Sequence, residues 1–187
     1  MLQQAIFYEP LRSLILPLKI IDGSLPKKGK IVDLGCGRGV VAKFLAKIPT
    51  REVIGVDLNL KQTVSNMDNL KFVKGDIRNF DLKNAVGVIL SDVLHHLSYT
   101  DQMEILENIA RDLKKGGVLI IKEIDSGEFL RSRLSRIWDF LLYPKDQISY
   151  FKSDNLCQIL EEFGFEMEII RTLRFFPGST TLFICRK

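Results

Sequence analysis

The chain has 187 residues, 46% hydrophobic and 27% charged, a balance that supports one domain with a packed core and excludes a disordered or fibrous polypeptide. Its net charge of +4 is too mild for the basic stripe of a typical nucleic-acid binder, and Cys36, Cys157 and Cys185 form neither a metal-site spacing nor an even disulfide set. Reduced thiols are therefore expected, and with no leader-like opening and no apolar run of spanning length the sequence reads as cytoplasmic.

Residues 1–29 form an apolar-rich segment ahead of the regular pattern, and residues 1–187 read as a single domain. Ile31 to Leu34 is a short buried-strand run that leads straight into Gly35-Cys36-Gly37-Arg38-Gly39. Glycines at alternate positions place bare backbone at a strand-to-helix turn. Gly35 and Gly37 are expected to take positive φ and admit a ligand, and Gly39 to let the following helix pack closely. That helix carries Val41, Phe44, Leu45 and Ile48 on one face. The second strand, Val53 to Val56, ends in Asp57-Leu58, where a carboxylate can accept from two ribose hydroxyls. The third, Leu70 to Val73, ends in Gly75-Asp76-Ile77, a carboxylate for an exocyclic amino group beside an apolar residue that can cover a purine face. The segments Asn59 to Leu70 and Ile77 to Ala85 are too short for full crossover helices and predict stubs.

The fourth strand, Val86 to Leu90, precedes Ser91-Asp92-Val93-Leu94-His95-His96. A helix follows, opened by a Ser98/Asp101 capping box, striped with Met103, Leu106, Ala110 and Leu113, and closed by Lys114-Lys115-Gly116-Gly117. After a fifth strand, Val118 to Ile124, residues 125–151 interrupt the pattern with Leu130, Leu134, Ile137, Trp138 and Leu141 at helical spacing, a lid-like insertion. Ser153 then caps a helix with Leu156, Ile159, Leu160 and Phe163 on one face and Gly164 as its stop. Strands Glu166 to Arg174 and Thr180 to Cys185 are joined by a connection too short for a parallel crossover, so they form an antiparallel hairpin. The sum is a doubly wound, mostly parallel α/β sheet.

The ligand chemistry follows from what the glycine turn lacks. A dinucleotide fingerprint places its third glycine where this chain has Val40, and Asp33 at the strand end would repel a pyrophosphate while suiting an ammonium group. A ligand with a ribose and an amino-acid tail satisfies both ends, and S-adenosylmethionine is such a ligand. Beside it stand two rival classes: a binding module that holds the cofactor without transfer, and a nicotinamide-dependent oxidoreductase.

From about Lys30 to the C-terminus the chain resembles the class I S-adenosylmethionine-dependent methyltransferases of the small-molecule branch. Asp33-Leu34-Gly35-Cys36-Gly37-Arg38-Gly39 fits the family's [DE]xGxGxG, Asp57 its ribose acid and Gly75-Asp76-Ile77 its adenine-side motif. Ser91 to Leu97 and Leu113 to Leu119 resemble its later motifs. The resemblance implies a seven-stranded Rossmann-like sheet of order 3-2-1-4-5-7-6. It also implies cofactor contacts from Asp33, Gly35, Cys36, Gly37, Gly39, Asp57, Leu58, Asp76, Ile77 and Ser91.

Methyl transfer from a sulfonium needs alignment and exclusion of water, with no metal and no covalent nucleophile. Where the acceptor has a proton to lose, the base candidates are Asp92, His95 and His96. An imidazole there can instead hold the loop under the strand end, a role that falls to His96 before His95. Ser91-Asp92-Val93-Leu94 replaces the [DN]PP[YF] of enzymes acting on nucleobases and protein amides, which disfavours those acceptors. The expected acceptor is a small, hydrophobic or amphipathic metabolite, lipid-like or quinone-like; RNA is the alternative within the enzyme class, and residues 125–151 leave a peripheral membrane contact open. The oligomeric state is not legible.

Overall fold

The computed structural model describes residues 17–60, 67–124, 153–172 and 180–187. In chain order these hold α1 (Leu18–Ser24), β1 (Gly29–Leu34), α2 (Val40–Leu45), β2 (Arg51–Asp57), β3 (Leu70–Lys74), β4 (Ala85–Ser91), α3 (Tyr99–Asp112), β5 (Val118–Ile124), α4 (Ser153–Glu162), β6 (Glu166–Thr172) and β7 (Thr180–Arg186). The seven strands form one sheet, β3-β2-β1-β4-β5-β7-β6. All pairs from β3 to β5 are parallel, while β7 runs antiparallel to both β5 and β6. Both the expected order and the terminal hairpin are found. Residues 1–16 and the insertion 125–151 lie outside the described residues.

The sheet buries both faces, which is why its central strands read as unbroken apolar runs. One core gathers Val32, Leu34, Val88, Leu90, Leu119 and Ile121 against α3 and α4. The other gathers Ile31, Val53, Ile89 and Ile120 against α1 and α2. Alternate residues of one strand thus serve opposite layers. In α3 the buried face is Gln102, Ile105, Leu106 and Ile109, with Met103 and Ala110 only partly covered, so the expected stripe is rotated by about one position. Ser98 caps this helix as expected, accepting from Asp101 N at 3.2 Å. Helix α2 ends at Leu45, a turn before the expected Ile48. The stub expected after β3 is a single 3₁₀ turn, Ile77–Asn79; residues 61–66, where the other falls, are not among those described.

Arg51, 1% exposed, ties α1 to the sheet. Its Nη1 donates to Asp22 Oδ1 at 2.5 Å and to Leu45 O at 3.3 Å, its Nε to Pro26 O at 2.8 Å, and its Nη2 to Asp22 O and Leu25 O. Burying a guanidinium is tolerable only with this degree of pairing. Toward the carboxyl end of β2, the Phe72 ring of β3 occupies the space that a Cβ would need at both Gly39 and Gly55.

Candidate active site

The carboxyl ends of β1, β2 and β4 converge on the glycine turn, the usual ligand position in a doubly wound sheet. Gly35, Gly37 and Gly39 all adopt positive φ, at 74°, 54° and 74°. Their roles differ from the expectation at two of the three. A Cβ at Gly35 would collide with the Val93 side chain, and one at Gly39 with Phe72 rather than with the following helix. Of the three, only Gly37 has open space where its Cβ would lie. The loop is fixed from below: Gly35 N and Cys36 N both donate to Val56 O, at 2.8 and 3.0 Å.

Asp57 closes β2 with both oxygens turned to backbone. Oδ2 accepts from Gly37 N and Oδ1 from Asn59 N, each at 2.8 Å. A carboxylate has about four acceptor positions, so this leaves capacity for ribose hydroxyls. Behind the loop is a small recess lined by Asp33, Gly35, Cys36, Arg38, Val40, Val41 and Ser91. Asp33, 2% exposed, accepts from Ala42 N at 3.2 Å in the first turn of α2. Ser91 Oγ is buried and makes no hydrogen bond among the described residues. A buried hydroxyl is costly unless something pairs with it, and a zwitterionic tail supplies such a partner. These residues therefore fit S-adenosylmethionine: Asp33 and Ser91 would hold the tail, Gly37 the passage beside the backbone, and Asp57 the ribose. Cys36 sits among them as an inert wall, its thiol held far above the ordinary range by burial and then by the charges of Asp33 and Asp57.

The adenine side differs from the sequence reading. Asp76 is clasped by Arg78, whose N and Nε reach Oδ1 at 3.0 Å and whose Nη2 reaches Oδ2 at 2.5 Å. The Arg78 guanidinium holds the Asp76 carboxyl below the usual carboxylate range. Arg78 also donates to Asp101 Oδ1 at 2.9 Å, which ties this corner to α3. An adenine amino group must share Asp76 with a guanidinium the sequence reading did not include. Ile77, expected to cover a purine face, is 8% exposed and belongs to the core; Leu58, 54% exposed, offers the apolar surface here instead.

At the end of β4 the histidines also exchange places. His95, not His96, is the buried one at 3% exposed, and it anchors the loop. Its Nδ1 lies 2.6 Å from Glu123 Oε2, while Glu123 Oε1 accepts from Val93 N at 3.1 Å and Leu94 N at 2.8 Å. With Glu123 acting as acceptor, the Nδ1 proton belongs to His95 and the lone pair to Nε2. The His96 ring packs beside it, centroids 4.1 Å apart. Asp92 is engaged by Lys122, Nζ to Oδ1 at 2.5 Å. Glu123 and Lys122 were not among the sequence candidates. Their signal was available, as two adjacent charges in the otherwise apolar Val118–Ile124 strand.

Residues 5–169 match the methyltransferase-domain family. The chain is similar to a putative methyltransferase, YqeM, of Bacillus subtilis, 36% identical over 112 residues covering 54% of this chain and 45% of that protein. It is also similar to a carboxy-S-adenosyl-L-methionine synthase of Staphylococcus epidermidis, 28% identical over 67% of this chain and 58% of that one. The chain thus spans about half the length of the curated relatives it matches. The fold matches the crystal structure of an S-adenosylmethionine-dependent methyltransferase from Archaeoglobus fulgidus with a TM-score of 0.73, at 18% identity and over 91% of both chains. Matched over residues 5–169, and with the sheet order and fold of that structure, this chain belongs to the methyltransferase-domain family.

Proposed function

We propose that the protein transfers a methyl group from S-adenosylmethionine to a small amphipathic acceptor through an atom that gives up a proton, with His95 as the general base. The single observation that carries this is the Glu123–His95 pair. A carboxylate fixes the Nδ1–H tautomer and leaves Nε2 as the basic atom, at the end of the strand that also supplies Ser91 to the cofactor recess. When bound, the cofactor supplies an electrophilic methyl on a sulfonium. The chain's own contribution is to hold that ligand by the groups described above, to exclude water, and to accept the acceptor's proton at His95 Nε2. Acceptor choice resides in residues 1–29 and 125–151, on the strength of their apolar composition. The Staphylococcus relative's name, which describes a modified form of the cofactor itself, is in keeping with small-molecule rather than macromolecular chemistry.

The test is a transfer screen with methyl-labelled cofactor against metabolite, lipid and RNA pools, followed by His95→Gln on the acceptor found. Loss of a positioned base lowers turnover by about 10²- to 10⁴-fold and removes the acidic limb of the rate–pH profile. Label appearing only in RNA, or full turnover by His95→Gln, would refute the proposal.

A further inference from the structure

We propose that Lys122 is a positioning residue for the reaction, acting through Asp92 to hold the turn that presents His95; this rests on the reading of His95 as the base. The turn after β4 is made by Asp92 at φ 58°, a left-handed conformation that is costly for a residue bearing a Cβ. Something must hold it there. Lys122, 4% exposed, does so at two points: its carbonyl accepts from Asp92 N at 2.9 Å, and its ammonium donates to Asp92 Oδ1 at 2.5 Å. An ammonium this deeply buried requires such a partner.

The next residue completes the grip. Glu123 accepts from Val93 N and Leu94 N and bonds His95 Nδ1, so two consecutive residues of β5 hold four consecutive residues of the β4 turn, Asp92 to His95. Successive strand residues leave opposite faces of a sheet, so Lys122 and Glu123 hold the turn from its two sides. Lys122 also pairs in register with Ser91 of the cofactor recess. If Lys122 lets go, Asp92 can relax from its left-handed conformation, the Val93 and Leu94 amides swing off Glu123, and His95 loses the contact that fixes its tautomer. Asp92 is accordingly a structural partner of Lys122 and not a proton acceptor.

The chain has two histidines, so ¹⁵N-imidazole spectra assign directly with a His96→Gln control. At a pH where both rings are neutral, wild-type His95 shows a protonated Nδ1 and an unprotonated Nε2. In Lys122→Met that pattern gives way to a mixture of tautomers, and Lys122→Arg restores it. Affinity for S-adenosylhomocysteine changes by less than about threefold in Lys122→Met, well under the worth of one hydrogen bond to a charged acceptor. If Lys122→Met does not fold, Asp92→Ala serves instead, because alanine deletes the carboxylate while its Cβ keeps the left-handed conformation costly. A wild-type His95 pattern in either folded variant overturns the proposal. So does a collapse of S-adenosylhomocysteine affinity in step with the tautomer change, which would mean general loosening. Absence of S-adenosylhomocysteine binding by the wild type would defeat the methyl-transfer reading while leaving the tautomer comparison to decide the role of Lys122.

Discussion

Replacing Asp57 by alanine removes a side chain that holds the glycine loop and, with the cofactor placed as proposed, would meet the ribose. In the structure its two oxygens each accept a backbone N–H at 2.8 Å, from Gly37 and Asn59. Asn59 is exposed and Gly37 half-buried, so water can replace both contacts, and the cost to folding is about 1 kcal/mol, a Tm lower by a few degrees for a chain of this size. The ribose hydroxyls lose a charged acceptor worth about 1.5 to 3 kcal/mol, which is a ten- to hundredfold weaker Kd. Freeing Gly37 N adds to this, since the loop is no longer held in the bound conformation. Asp57→Asn retains one acceptor oxygen and falls between the two. Titration calorimetry with S-adenosylhomocysteine, on protein whose circular dichroism is unchanged, measures the effect. An Asp57→Ala variant that binds as tightly as wild type would refute the ribose assignment and, with it, the claim that this strand end faces the nucleoside.

The glycines separate by what lies opposite them: Gly35→Ala meets Val93 on top of the cost of its left-handed backbone and destabilises the fold by about 2–5 kcal/mol, whereas Gly37→Ala has open space, bears only the backbone cost of about 1–2 kcal/mol, and weakens cofactor binding. Thermal melts paired with calorimetry distinguish the two, and equal effects on stability would contradict the assignment. Asp22 has its carboxyl pushed up by burial but, on balance, lowered by Arg51 and Lys27, so its contribution to stability is present above the ordinary carboxylate range and is lost as pH falls through its depressed folded value. Asp22→Asn therefore costs about 1–3 kcal/mol near neutrality, and the gap to wild type narrows as pH falls below the ordinary carboxylate range; a gap that does not narrow there by denaturant titration would show that the ion pair is not its source. Thiol alkylation at pH 8 should label Cys157 first, because Cys36 and Cys185 are buried and burial raises the Cys185 thiol to about 12; mass spectrometry showing Cys36 or Cys185 leading would contradict this burial.

The strands were legible because a sheet covered on both faces writes its strands as apolar runs, and the hairpin because Phe176 to Thr180 is too short for any other connection. The sites of Asp33, Asp57 and Ser91 were legible for a related reason: each stands at a strand's carboxyl end, and the fold brings those ends together. What each glycine is for was not legible. The atom facing a missing Cβ belongs to Val93 or Phe72, distant in sequence, and no local pattern names it. Which histidine is buried against the loop was not legible for the same reason. Both stand on one 3₁₀ turn, and the carboxylate that selects His95 arrives from β5. Asp76 could be placed at its strand end, but the geometry that spends its oxygens on Arg78, two residues on, could not be read from adjacency alone.

The Phe72 ring, lodged against the bare backbone at Gly39 and Gly55, joins three positions into one unit of substitution. A larger residue at 39 is admissible only if 72 shrinks, and one at 55 only if the equally close Cys36 thiol gives way as well; a smaller residue at 72 leaves a cavity beside the glycine loop unless one of the glycines gains a methyl. The backbone decides which glycine can do so, because Gly39 needs φ 74° whereas Gly55 is in an ordinary strand conformation. As copies of this sequence diverge, drift at 72 is therefore answered at 55 only together with 36, and position 39 stays fixed whatever happens at 72.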